Sequence, residues 1–140
     1  MSGSKSLVPK WVRGVTGLLA IANIGYGVFG YVQPAAMFAK LDLATVGALD
    51  AVHQFDARNV AIGVALMIVA IVGVPETIAI LMIVRFLIEA QDLILGLMAG
   101  ATRATLGMAV AFMVVEAVVV VLMFRIVQRR DAEAGLKTAG

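Results

Sequence analysis

The chain has no cysteine, one histidine, one tryptophan and three prolines, and only 14% of its 140 residues are charged. Without cysteine there is no disulfide framework, no dithiol redox couple, no thiolate metal site and no cysteine nucleophile, so redox work would need a bound cofactor. His53 stands alone just ahead of an apolar run, with no second ligand near it, and neither haem nor metal is expected there. The shortage of charge matters most: a soluble domain of this length is about half apolar, whereas this chain is 62% hydrophobic. The net charge of +2 comes largely from the tails and includes no basic patch interleaved with aromatics, so no nucleic-acid partner is expected.

What is present are four long apolar segments, at about residues 11–31, 55–73, 76–98 and 105–127, each near the ~20 residues that cross ~30 Å of hydrocarbon. The expected architecture is an all-α integral membrane four-helix bundle, one transmembrane domain over 1–140, in the inner (plasma) membrane. Its first segment runs past the signal-like Ala20-Ile21-Ala22 to Tyr31 and is expected to be retained. Lys5, Lys10, Arg13, Arg125, Arg129, Arg130 and Lys137 lie in or near the tails, against mainly Lys40 and Arg103 in the first and third loops. The positive-inside rule therefore puts both termini in the cytoplasm. Gly73-Val74-Pro75-Glu76 then becomes a tight inner turn, with Pro75 and Glu76 suited to a helix start. The outer connection 32–54 mixes Met37, Phe38, Leu41, Leu43, Val46 and Leu49 with Lys40, Asp42 and Asp50, as either an interfacial helix or an irregular loop would.

Ionisable residues inside the apolar spans carry the functional signal: Arg58 in the second, Arg85, Glu89 and Asp92 in the third, and Glu116 in the fourth. A lone Arg or Asp at a helix centre costs about 3 kcal/mol on insertion scales, so these groups are expected to face one another. Arg85, Glu89 and Asp92 stand at i, i+4 and i+7, within roughly a 60° arc of one helix. Counting from the outer ends, Asp92 lies ~9 Å deep, Glu89 ~13 Å, and Arg85 and Glu116 ~18 Å. Arg85 is thus matched to Glu116, and Arg58 to Asp92 or Glu89. With three carboxylates against two guanidiniums, one carboxyl of Glu89 or Glu116 is expected to hold a proton, since burial and like charge both disfavour ionisation. Asp56, two residues before Arg58, is read as an N-cap or outer-surface group. Asn23 and Tyr26 in the first span would bond a ligand if they face the cluster, or otherwise satisfy the helix backbone. The recurring glycines, including Gly96 and Gly100 in G-x-x-x-G spacing, read as helix packing, and the methionines as core fillers.

Several of these elements, in order, resemble the DoxX-like family of small four-span bacterial membrane proteins. They are Gly27 to Pro34 closing the first span, Asp56-Ala57-Arg58 followed by Gly63 in the second, Arg85 and Asp92 in the third, and Glu116 in the fourth. The resemblance covers most of the chain. It implies a quinone or another lipophilic ligand, because named members of that family are associated with thiosulfate:quinone oxidoreduction or with membrane oxidoreductase assemblies. The reading at this stage is a lipophilic ligand, quinone-like or isoprenoid-like, held by Arg58, Arg85, Asn23 and Tyr26, with Glu89, Asp92 and Glu116 as acid-base groups. Two alternatives stand beside it: a proton-coupled small transporter, and a structural or assembly subunit whose ion pairs are a clasp. The expected partners are the lipid bilayer, the lipophilic molecule, and a partner membrane subunit or a second copy.

Overall fold

A computed structural model describes residues 8–38, 41–98 and 100–138, and every regular element among them is an α-helix: α1 (Lys10–Val32), α2 (Pro34–Met37), α3 (Ala48–Val72), α4 (Pro75–Met98) and α5 (Arg103–Thr138). Lys5 and Lys40, and the side chain of Lys137, on which part of the charge bias rests, lie outside the described residues. The chain divides into two compact units, Arg13–Val72 and Met1–Val12 with Gly73–Gly140.

The helix limits follow local chemistry. Pro9 precedes the first turn of α1, and Pro34 opens α2 at a position where a missing N–H is harmless. Gly73, at φ 70°, ends α3 in a left-handed conformation that costs a side-chain-bearing residue energy. Pro75 then opens α4, with Glu76 in its first turn. Gly100, at φ 68°, makes the corresponding stop before α5. Two helices outrun their apolar segments: α3 begins at Ala48 rather than near Phe55, and α5 runs to Thr138 rather than stopping near Val127. The added residues are mostly good helix formers, and Asp50 in the first turn of α3 favours the positive end of its dipole. The connection 32–54 is accordingly part α2, part irregular and part the opening of α3.

Within the Arg13–Val72 unit, α1 and α3 run antiparallel. Gly27 abuts Asp56 and Val60, Gly63 abuts Ala20 and Ile24, and Arg13 reaches Ala70 and Ile71. Glycine is required at these contacts: a Cβ on Gly27 would lie 2.5 Å from the Asp56 carbonyl oxygen, and one on Gly63 would lie 2.8 Å from that of Ala20. Small residues let helix backbones approach closely. Along α1 the buried positions Val12, Thr16, Leu19, Ala20, Asn23, Gly27 and Gly30 form one stripe at helical spacing, while Leu18, Ile21, Val28 and Phe29 face outward.

In the other unit, α4 and α5 form an antiparallel hairpin. Glu76 pairs with Arg130 at one end, Arg85 with Glu116 in the middle, and Gly96 packs beside Leu106 near the turn. Ile78, Ala79, Met82 and Arg85 are buried on α4; Glu116, Val119 and Met123 are buried on α5. Helices α1, α3 and α5 are long and apolar enough to cross a membrane, yet only 33%, 22% and 17% of their most apolar stretches is buried. The remainder is an apolar exterior, suited to lipid contact rather than to water. α4 is of similar length, but Glu76, Arg85, Glu89 and Asp92 give it too much charge to qualify on composition.

Candidate functional site

The α4–α5 hairpin builds the most concentrated polar site. Arg85 points from the buried stripe of α4 and donates two hydrogen bonds to different carboxylates: Nε to Glu116 Oε1 at 2.6 Å, and Nη2 to Glu89 Oε1 at 2.5 Å. Glu89 lies one turn along α4, so helical periodicity alone brings it beneath the guanidinium. Glu116 comes from α5, and its placement depends on the antiparallel register of the hairpin. Phe112, one turn before Glu116, sets its ring 6.0 Å from the guanidinium carbon, at the outer limit of a cation–π contact.

Burial sharpens the electrostatics. The side chain of Arg85 is 6% exposed, that of Glu116 is 0% and that of Glu89 is 18%, so Glu116 is the enclosed end of the triad and Glu89 its more open end. Glu116 Oε2 is buried and has no hydrogen-bond partner among the described residues. Leaving such a group unsatisfied in an apolar interior is costly, and a proton or a ligand donor would relieve that cost. One guanidinium between two carboxylates also leaves an excess negative charge if both acids are ionised. The arrangement can hold a proton, polarise an oxygen-bearing ligand, or lock two helices together.

The remaining expected site residues divide between the two units. Asp92, a further turn along α4, is half-buried. Arg58, Asn23 and Tyr26 belong to the Arg13–Val72 unit. There Asn23 donates to the Leu19 carbonyl at 2.7 Å, the backbone-satisfying alternative for that residue. Tyr26 is 46% exposed and meets Phe55 edge-on, with ring centroids 6.2 Å apart. Arg58 is exposed, its guanidinium carbon 4.9 Å from the centre of the same Phe55 ring.

Two features depart from or add to the sequence reading. Asp56 is neither an N-cap nor an outer-surface group: it lies inside α3, is 0% exposed and is pressed against Gly27 and Gly30 of α1. The early start of α3 moves it more than two turns into the helix, and the two glycines one turn apart on α1 were the available signal. Arg13, read as an orientation charge, also donates through Nε to the Ala70 carbonyl at 2.7 Å and through Nη2 to that of Ile71 at 2.6 Å. It thereby caps the C-terminus of α3, which has no basic residue in its own last turn. No family model, curated protein or solved structure matches the chain.

Proposed function

We propose that the protein is a four-span inner-membrane protein with cytoplasmic termini, and that it binds a lipophilic molecule bearing polar oxygens, quinone-like or isoprenoid-like, at the Arg85–Glu89–Glu116 triad. The observation that carries this reading is the buried, unsatisfied Oε2 of Glu116 beside a guanidinium that already engages two carboxylates. Structural economy would pair every atom of such a cluster, whereas a binding site keeps an acceptor or a proton in reserve. Arg85 fixes the ligand's polar end, Glu116 donates or accepts a proton, and Glu89, at the more open end, exchanges protons with the exterior. Asp92, a further turn along α4, belongs to this reading as a flanking acid.

The resemblance to DoxX-like proteins supports the same ligand class and the four-span count. Antiparallel packing also favours four spans: if α5 crosses, α4 paired along it crosses too, with the cost of its charges offset by Glu116 and Arg130. The test is to purify the protein in mild detergent, extract it, and identify co-purifying lipophilic molecules by mass spectrometry, with folded Arg85→Lys and Glu116→Gln variants in parallel. A stoichiometric oxygen-bearing ligand, depleted in both variants, is expected. An empty, folded wild type would overturn the reading in favour of a structural clasp. That alternative draws on the guanidinium's two existing hydrogen bonds, and it requires function to survive exchange of Arg85 and Glu116.

A further inference from the structure

The Arg13–Val72 unit contains a second buried acid. Asp56 is 0% exposed, and neither Oδ1 nor Oδ2 has a hydrogen-bond partner among the described residues. Its surroundings are shaped around it. A Cβ added to Gly30 would clash with Oδ1 and lie 2.7 Å from both Cγ and Oδ2, while one on Gly27 would meet the Asp56 carbonyl at 2.5 Å. Gly30 therefore lays the bare backbone of α1 on the carboxyl group, while Gly27, one turn earlier, abuts the Asp56 backbone carbonyl, and no donor reaches the carboxyl among the described residues. A carboxylate with no hydrogen-bond donor in this enclosure carries a desolvation cost that a neutral acid largely avoids. No group of three or more His, Cys, Asp or Glu side chains lies together among the described residues.

We propose that Asp56 is a proton-binding site in the α1–α3 pair, separate from the Arg85 triad, whose carboxyl carries its proton at neutral pH. Among the described residues on α1 and α3, the ionisable neighbours are few. On α3, His53 lies one turn before Asp56, Arg58 projects to a different face, and Asp50 lies in the first turn. On α1, Tyr31 stacks on His53 with ring centroids 4.4 Å apart, and Tyr26 lies against Phe55. The His53–Tyr31 stack sits on the side of Asp56 nearest the start of α3, where a proton entering from that end would arrive. The glycine ledge makes exchange depend on the separation of α1 from α3, because their contact excludes water from the acid.

The experiment is infrared spectroscopy of the full chain in phospholipid vesicles at neutral pH, on protein grown with and without aspartate labelled with carbon-13 at the side-chain carboxyl. A protonated acid has a carbonyl stretch well separated from carboxylate bands. An acid band that shifts with the aspartate label, disappears in Asp56→Asn and persists in Glu116→Gln is the expected result. If Asp56→Asn fails to fold, Asp56→Glu is used, and the acid band should then lose its sensitivity to the aspartate label. The absence of any label-sensitive acid band in the wild type would overturn the proposal without recourse to a variant, and so would a labelled acid band that survives substitution of Asp56. Because the readout is a protonation state, it stands or falls independently of ligand binding at Arg85.

Discussion

At the scale of single residues, the Arg85–Glu116 pair sets the largest energetic stake. Removing one partner of a buried ion pair typically costs about 3–5 kcal/mol, whereas replacing both by apolar residues of similar size is often near neutral. Arg85→Met should therefore destabilise the α4–α5 hairpin by roughly 3 kcal/mol, because it strands the fully enclosed Glu116. Arg85→Met combined with Glu116→Met should recover most of that loss. Reversible unfolding in bicelles checks both variants, and a double variant as unstable as the single one would contradict the pairing. Gly30 offers a contrast in which sterics decide. Gly30→Ala drives a methyl into the Asp56 carboxyl, and overpacking of this kind costs about 1–3 kcal/mol. Gly14→Ala meets nothing within 4 Å and should be neutral or gain up to about 1 kcal/mol of helix propensity. Thermal unfolding of the two variants side by side tests whether the glycine ledge is tight where the geometry places it.

At the scale of helices, the C-terminus of α3 depends on a residue far away in sequence. Arg13→Ala leaves the Ala70 and Ile71 carbonyls without their guanidinium donor, so amide exchange in the last turn of α3 should speed up several-fold. Arg13→Lys should recover part of the protection, since an ammonium offers a point charge without the planar fork. Exchange unchanged in Arg13→Ala would mean that solvent or headgroups already satisfy those carbonyls. The same helices show what the sequence made legible. The apolar lengths located α1 and α4 to within a residue or two, and Pro34 and Gly73-Val74-Pro75 marked breaks that the backbone uses, whereas Gly100, which the spacing assigns to packing, stands at φ 68° in the turn before α5 with nothing within 4 Å of a Cβ there. Apolar length reports where lipid would be, however, while helix length reports where backbone hydrogen bonding continues; α3 and α5 therefore extend through polar turns. The Arg85–Glu116 pair was readable because depth estimates place both groups near ~18 Å, and Glu89 because of its i+4 spacing. Asp56 reads as a helix-end group because the apolar segment starts near Phe55, whereas α3 begins at Ala48. The capping by Arg13 escaped notice because a positive tail residue already had a sufficient explanation in membrane orientation.

At the scale of the molecule, the open question is the number of crossings, and the absence of cysteine makes it directly measurable. Three helices qualify as spans on length and apolarity, and α4 does not because of its charges. Charge within a span is tolerated when it is paired inside the protein. Arg85 is engaged by Glu89 and Glu116, and Glu76 by Arg130, so the composition of α4 overstates the cost of burying it in lipid. Single cysteines at Thr45, Val74, Thr102 and Ala134, each in an otherwise cysteine-free chain, can be probed in intact cells with a membrane-impermeant maleimide. With four crossings and cytoplasmic termini, Thr45→Cys and Thr102→Cys label from outside, while Val74→Cys and Ala134→Cys label only after permeabilisation. If α4 stays on the cytoplasmic side, the second pair of assignments changes in a specific way: Thr102→Cys becomes protected and Ala134→Cys becomes accessible, while Thr45 and Val74 keep theirs. In that second pattern α5 still crosses while α4 does not, so Arg85 and Glu116 could not lie side by side in the membrane. Glu116 would then stand in hydrocarbon without its guanidinium, and the triad on which the proposed proton chemistry depends would not form.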